Sequence, residues 1–473
     1  MLRHTLLGQL LITGALTVLV SDFCLEGVGH LNVARAASDE PDILVADFEG
    51  SDYGTWRNTG RAFGPGPARG TLPNQMHVEG FLGKRLVNSY HEGDGTTGTL
   101  TSPPLRIERQ FVQFLIGGGN HPGKTCINLK VGDQVVRTAT GPNDRPGGSE
   151  RLEWTSWDVR ELIGQEVVFE VVDQETGGWG HINIDHIIQT NQRLPGVLSN
   201  ARRAIVIEKR FLNLPVKNGA TKRRVSLLID DKTAQEFEIE LADGKSERRT
   251  AEPDFWVFLD LGSYSGKQAM IQVDRLPEDS RALELIEQSD SIRDSETLYR
   301  ESLRPQWHFS SRRGWNNDPN GLVYFQGEYH LYYQHNPYGW SWGNMHWGHA
   351  VSRDLVHWQE LPIAIYPRQF GDWVFSGSAI VDWKNSSGFS SLGGAVLVAA
   401  FTSTGRGECI VYSNDRGRTW QEYAGNPVVR HNGRDPRLLW HEPSSRWVMA
   451  VYDEHENGRY IAFYTSANLR EWE

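Results

Sequence analysis

From residue 41 to about residue 195, apolar and polar positions alternate in short runs broken by glycine. Residues 111–116, 126–131, 134–138, 167–172 and 181–188 each carry the two-residue period of a half-buried strand. Gly132-Asp133 separates two of these runs and is the glycine-first pair expected of a tight hairpin. Many short strands at close spacing predict a β-sandwich over 41–195. Residues 196–275 predict a smaller β unit, in which 224–229 and 236–241 flank Asp230-Asp231 and 255–261 adds a strand. Over 276–301 the pattern changes: Leu283 and Ile286 share one helical face while Glu284, Glu287 and Asp290 lie elsewhere. That segment predicts a charged, helical linker.

From residue 302 onward the chain becomes rich in tryptophan, with 12 of its 17. A repeat also emerges. Ser352-Arg353-Asp354 precedes Trp358, Ser413-Asn414-Asp415 precedes Trp420, and Ser466-Ala467-Asn468 precedes Trp472. The three tryptophans are spaced by 62 and 52 residues, near the length of a propeller blade. Each repeat predicts four strands; in the first they are 321–325, 329–334, 347–352 and 356–361. The second repeat begins at Phe375 and the third at Arg434. The fold class is therefore all-β: a sandwich, a small β domain, and about three blades over 302–473.

The first 37 residues read as an export signal. Arg3 and His4 precede an apolar run over 10–20, and Ala34-Arg35-Ala36 offers a small-residue cleavage site. The expected destination is secreted or periplasmic, with no membrane attachment after cleavage. Cys24 falls inside the signal, which leaves Cys126 and Cys409, far apart in different predicted units. Neither a disulfide framework nor a cysteine-based metal site is expected, and no cofactor is called for. At 473 residues with a formal charge of −11, the chain lacks the basic footprint that nucleic acid requires. An acidic, aromatic-rich chain suits a neutral ligand such as a carbohydrate.

Chemistry enters through three motifs at the first strands of the three repeats: Trp315-Asn316-Asn317-Asp318-Pro319-Asn320-Gly321, Phe375-Ser376-Gly377-Ser378 and Gly433-Arg434-Asp435-Pro436. In a propeller the first strand of each blade lines the central channel, so the motifs are expected to converge. Two carboxylates there, Asp318 and Asp435, match what glycoside cleavage needs. Taken singly, Asn-Asp-Pro-Gly runs are usually turns and Arg-Asp pairs usually surface ion pairs; three at equivalent positions argue otherwise.

With these motifs, residues 302–473 resemble glycoside hydrolase family 32, the levanase, inulinase and invertase family of β-fructosidases. The resemblance also covers Tyr333-Gln334-His335-Asn336-Pro337 and Trp342-Gly343. It implies a five-bladed propeller and a retaining mechanism, with Asp318 as nucleophile and Asp435 stabilising the transition state. Trp315, Asn317, Gln334, Trp342, Phe375, Ser376 and Arg434 would bind the fructosyl unit of a fructan or fructosyl oligosaccharide. The family's acid/base glutamate, usually followed by cysteine, is expected downstream of Arg-Asp-Pro, and no such pair follows Asp435. Glu408-Cys409 imitates it from upstream and reads as a decoy. The catalytic domain is thus expected to be incomplete, by two blades and the acid/base. Residues 196–275 resemble the small domain that precedes the catalytic domain in levanase-like members, and 41–195 an accessory module. Rival readings are fructosyl transfer or arabinan cleavage on the same architecture, and a fructan-binding protein without catalysis.

Overall fold

The computed structural model describes residues 40–144, 148–246, 249–455 and 458–473. The predicted export signal and Cys24 lie outside the described residues. Within them, α-helix is confined to one turn, Ala282–Leu285, and nearly all other regular structure is β. No described helix is long and apolar enough to cross a membrane.

Residues 43–190 form two facing sheets. One orders Ile43–Ala46, Ile182–Thr190, Phe111–Gly118 and Glu153–Asp158; the other is centred on Gly98–Thr101, Glu166–Asp173, Thr125–Val131 and Gln134–Ala139. The alternation read from the sequence is the packing pattern. Val112, Phe114 and Ile116 point inward from the first sheet, and Val167, Phe169 and Val171 meet them from the second. Trp157 lies between, stacked on Phe169 with centroids 6.4 Å apart. The predicted hairpin pairs Val131 with Gln134, and Gly132 takes φ +56° there.

The small unit is also two sheets. Val197–Val206, Gln268–Pro277, Lys222–Ile229 and Lys232–Glu240 form one, and Phe255–Asp260, Phe211–Val216 and Glu287–Ser289 the other. Asp230 and Asp231 both adopt left-handed φ, +50° and +61°, as a two-residue turn between twisted strands requires. The predicted helical linker is not formed. Its first residues end the Gln268–Pro277 strand, a single turn follows, and Glu287–Ser289 pairs with Phe211–Asn213. Leu276, Ala282 and Ile286 are buried in the small unit's core. A short helix repays its nucleation poorly, so the apolar residues that suggested one are used by the sheets.

Residues 315–466 form three successive antiparallel sheets. Their orders are Trp315–Pro319, Glu328–Asn336, His346–Ser352, Trp358–Ile365; then Val374–Asp382, Val396–Ser403, Gly407–Ser413, Gln421–Glu422; then Arg434–His441, Arg446–His455, Gly458–Ser466. The first strand of the first sheet is broken, continuing as Val323–Phe325 after a turn at Asn320 to Leu322. No described sheet closes on itself. First strands lie beside one another: Ser378 Oγ donates to the Pro436 carbonyl at 2.8 Å and accepts from the Leu438 N–H at 2.8 Å.

The sequence repeat is a turn device. Ser352, Ser413 and Ser466 each hydrogen-bond the side chain two residues on, Asp354, Asp415 and Asn468. Leu355, Arg416 and Leu469 follow in left-handed conformation. The Trp358 and Trp472 indoles donate back to Leu355 O and Leu469 O, each at 3.2 Å.

Buried ionisable groups give the two ends of the chain opposite responses to acid. In the first sandwich, burial raises the carboxyls of Asp173 and Asp185 from 3.8 to about 7. These groups bind protons in the folded state before the unfolded one, so the sandwich gains stability as pH falls from 7 toward 3.8. In the three-sheet segment, burial lowers His330 and His335 from 6.5 to about 4. There the unfolded chain binds protons first, so stability falls as pH drops from 6.5 toward 4. Hydrogen exchange at pH 7 and pH 5, corrected for intrinsic rates, should show protection rising over strands of 111–190 and falling over 328–352. The opposite ordering would contradict these assignments.

Candidate active site

Each of the three motifs sits on a β-bulge at the start of its sheet's first strand. The ladder slips between Asn316 and Pro319 in the first sheet, between Val374 and Gly377 in the second, and between Arg434 and Arg437 in the third. A bulge breaks alternation and re-aims the side chains within it. Here the re-aimed residues are Asn317, Asp318, Phe375, Ser376, Asp435 and Pro436. Asn317, Asp318 and Asp435 are exposed, although they lie on edge strands of sheets with buried interiors.

The second motif joins the other two. Ser376 Oγ donates to Asp318 Oδ2 at 2.8 Å, while Ser378 clamps Pro436 and Leu438 as described. Gly377 allows this, because its backbone passes so close to the neighbouring strand that a Cβ would lie 1.9 Å from the Ala400 oxygen. Behind Ser376, buried Asn320 has an amide orientation that donates to Ser376 Oγ at 3.2 Å and accepts from Trp347 Nε1 at 3.1 Å. Gln334 is buried and donates to the Val374 carbonyl at 2.9 Å, tying the first two sheets together. Trp342 meets the Phe375 ring edge-on at 6.0 Å, with more than half of its surface open to solvent. Trp315 stands at the head of the strand, its carbonyl 2.9 Å from His335 Nδ1.

Charge at the site is shared. Although half of its side chain stays open to solvent, the protein packed on its other side strips enough water from the Asp435 carboxyl to raise it above the ordinary range; Arg434 opposes the shift and the nearby Asp318 charge adds to it. Arg434 Nε lies 3.5 Å from Asp435 Oδ2, and its guanidinium lies over the Tyr452 ring at 5.5 Å. Two carboxylates that sense each other, with a serine donor on one and an arginine on the other, can attack and stabilise a positively charged sugar centre. Among the described residues no cluster of His, Cys, Asp or Glu has the arrangement of a metal site.

The wall bearing Trp342 is braced by the small β unit. Tyr338 is buried in that unit's core and stacks on Phe237 at 3.8 Å. Asn344 pairs with the Glu238 backbone in both directions, at 2.9 and 2.7 Å. Trp340 Nε1 donates to Glu240 Oε2 at 2.7 Å. Sequence reading gave the small unit no part in the site. Ser378 and Asn320 lie inside the sequence motifs, but their roles, like this brace, depend on partners distant in the chain and carry no local signal.

Residues 308–473 match the family model "Glycosyl hydrolases family 32 N-terminal domain". The matched stretch contains all three bulged strands and their motifs. This segment belongs to glycoside hydrolase family 32. It is 51% identical over 183 residues to a levanase of Bacillus subtilis (strain 168), covering 37% of this chain and 26% of that protein. An extracellular exo-inulinase of Aspergillus awamori is 42% identical over 207 residues, covering 37% of this chain and 38% of the relative. An invertase of Schizosaccharomyces pombe is 43% identical over 188 residues, covering 37% and 32%. The chain thus spans between about a quarter and two-fifths of the length of these relatives. Among solved structures, the exo-inulinase from Aspergillus awamori is similar at 40% identity with a TM-score of 0.34, covering 37% of this chain and 40% of that one.

Glu408 of the family 32 segment, part of the only Glu-Cys pair in the sequence, is fully buried on an interior strand. Thr402 Oγ1 lies 3.0 Å from both of its oxygens and His431 Nε2 donates to one at 2.8 Å. No leaving group can reach it there. Cys409 beside it is buried as well, and its thiol is pushed up to about 12.

Proposed function

We propose that this chain is an exported β-fructosidase that cleaves fructans with retention, levan before inulin or sucrose. Asp318 is the nucleophile and Asp435 stabilises the oxocarbenium-like transition state. Trp315, Asn317, Gln334, Trp342, Phe375, Ser376 and Arg434 form or support the fructosyl site. The observation that carries this reading is the shared bulge, which turns the two aspartate motifs toward one serine-rich strand. The three sheets are read as three blades of a five-bladed propeller. The apolar side chains exposed on its last strand, Ile461 and Phe463, are the kind of face a neighbouring blade would cover. Residues 41–195 act as an accessory module. The relatives with levanase and extracellular exo-inulinase names support both the substrate class and the export.

Retaining hydrolysis also needs a proton donor to the leaving oxygen, and a buried Glu408 does not supply it. Hydrolysis by residues 1–473 should therefore be weak, by about 10²–10⁴ relative to an enzyme with its acid in place. That same observation favours a second reading, a fructan-binding protein without turnover. Retention on levan beads, measured beside reducing-sugar release and covalent capture of an activated fructosyl donor, separates the two. The enzyme reading expects retention and a covalent fructosyl adduct; retention with no adduct supports binding alone. Failure to bind any fructan would overturn both.

A further inference from the structure

Asp435 holds a left-handed backbone conformation, φ +67°, which an aspartate adopts at a cost unless its surroundings fix it. Its N–H donates to Thr402 Oγ1 at 2.9 Å. The Thr402 hydroxyl has one proton and directs it to Glu408, so its lone pairs face the Asp435 amide. Glu408 also accepts from His431 Nε2, and His431 Nδ1 accepts from the Gly433 N–H at 2.8 Å. The result is a closed circuit: Gly433 N–H to His431, His431 to Glu408, Thr402 to Glu408, and Asp435 N–H to Thr402. Both ends attach to the backbone that carries Arg434 and Asp435.

Glu408 accepts from both Thr402 and His431, and this leaves the Thr402 oxygen and His431 Nδ1 as the acceptors of the Asp435 and Gly433 N–H groups. The Glu408 and His431 side chains are almost wholly shielded from solvent, 0% and 3% exposed, so water cannot substitute for a lost partner. Gly433 is fixed as well, since a Cβ there would meet the Tyr452 oxygen at 1.7 Å. Asp453 stands behind His431, 3.5 Å from Nδ1.

We infer that Glu408, Thr402 and His431 are positioning residues for Asp435, with Glu408 serving as a buried anchor that sets the hydrogen-bond direction through the loop from His431 to Asp435. This deepens the fructosyl-site reading and rests on it only for the ligand used in one arm of the test. Glu408→Gln keeps the shape but reverses the pattern. The new amide must turn its N–H toward Thr402 or toward His431, so either the Thr402 proton loses its acceptor or the His431 ring proton moves to Nδ1, against the Gly433 N–H.

The test uses the full chain and four proteins: wild type, Glu408→Gln, Thr402→Val and Thr402→Ser. Hydrogen exchange over residues 431–438 reads the loop directly, and fructose titration followed by tryptophan fluorescence reads the site. Glu408→Gln and Thr402→Val should speed exchange in this segment by about tenfold and weaken fructose binding to a similar degree. Thr402→Ser, which keeps the hydroxyl, should behave as wild type. Restoration by serine separates positioning from simple packing, which valine would preserve better. Wild-type exchange over 431–438 in both Glu408→Gln and Thr402→Val would overturn the inference, as would equal loss in the serine variant. Should wild type bind no fructose, the proposed function fails while the exchange arm still decides this circuit.

Discussion

Asp318→Asn should abolish transfer of a fructosyl group to the protein from an activated donor such as a fructosyl fluoride. A fluoride leaves without protonation, so this step does not need the acid/base and isolates what Asp318 and Asp435 do. The amide is neutral and a poor nucleophile, and Asp318 is the carboxylate that the Ser376 hydroxyl orients, at 2.8 Å. Asp435→Asn should leave the adduct detectable but slow its formation by about 10²–10³, the cost of losing one preorganised group that stabilises developing charge. Because burial and Asp318 raise the Asp435 carboxyl, the ionised form needed here is lost at a higher pH than for a free aspartate. Adduct formation in wild type should therefore fall on its acid side before pH reaches the ordinary carboxylate range near 4. Mass spectrometry of the intact chain against time and pH measures all three expectations.

The second large effect is structural. Gly377→Ala places a methyl group against the Ala400 oxygen at 1.9 Å and Phe401 Cα at 2.9 Å. Both obstacles are backbone, so the two strands must part. Separation would take Ser376 from Asp318 and Ser378 from Pro436, breaking the joint between the motifs. A cost of about 3 kcal/mol or more is expected, at the upper end of overpacking penalties. Thermal unfolding should show the three-sheet segment melting early while the first sandwich, with its own core, is unchanged. Melting like wild type would show that the close approach at Gly377 is not needed.

Much of this was legible because it is local. Alternation at residues 111–116 and 126–131 is set by which side chains one strand buries, and the Asp230-Asp231 turn by backbone preference. The Asp318 and Asp435 motifs were visible as residue patterns at repeat starts. What stayed hidden depends on partners far away in sequence. Nothing near Ser378 announces Pro436 and Leu438, 58 and 60 residues on. Tyr338 reads as a loop tyrosine until Phe237, about a hundred residues earlier, is stacked against it. The linker over 276–301 read as helical because Leu283 and Ile286 fit that period. Burial of Ile286 with Leu276 in the small unit's sheets decided otherwise. Glu408 reads as a decoy from its order in the chain; its hydrogen bonds to Thr402 and His431 give it a separate task.

The most direct measurement is the site of covalent labelling. Wild-type chain treated with a fructosyl fluoride, quenched in acid and digested with trypsin should carry one anhydrofructose on the peptide 314–353, which contains Asp318. Fragmentation should place it on the Asp318 carboxylate. A label on peptide 407–416, which contains Glu408, would contradict the assignment of nucleophile. So would reproducible levan binding with no label on any peptide.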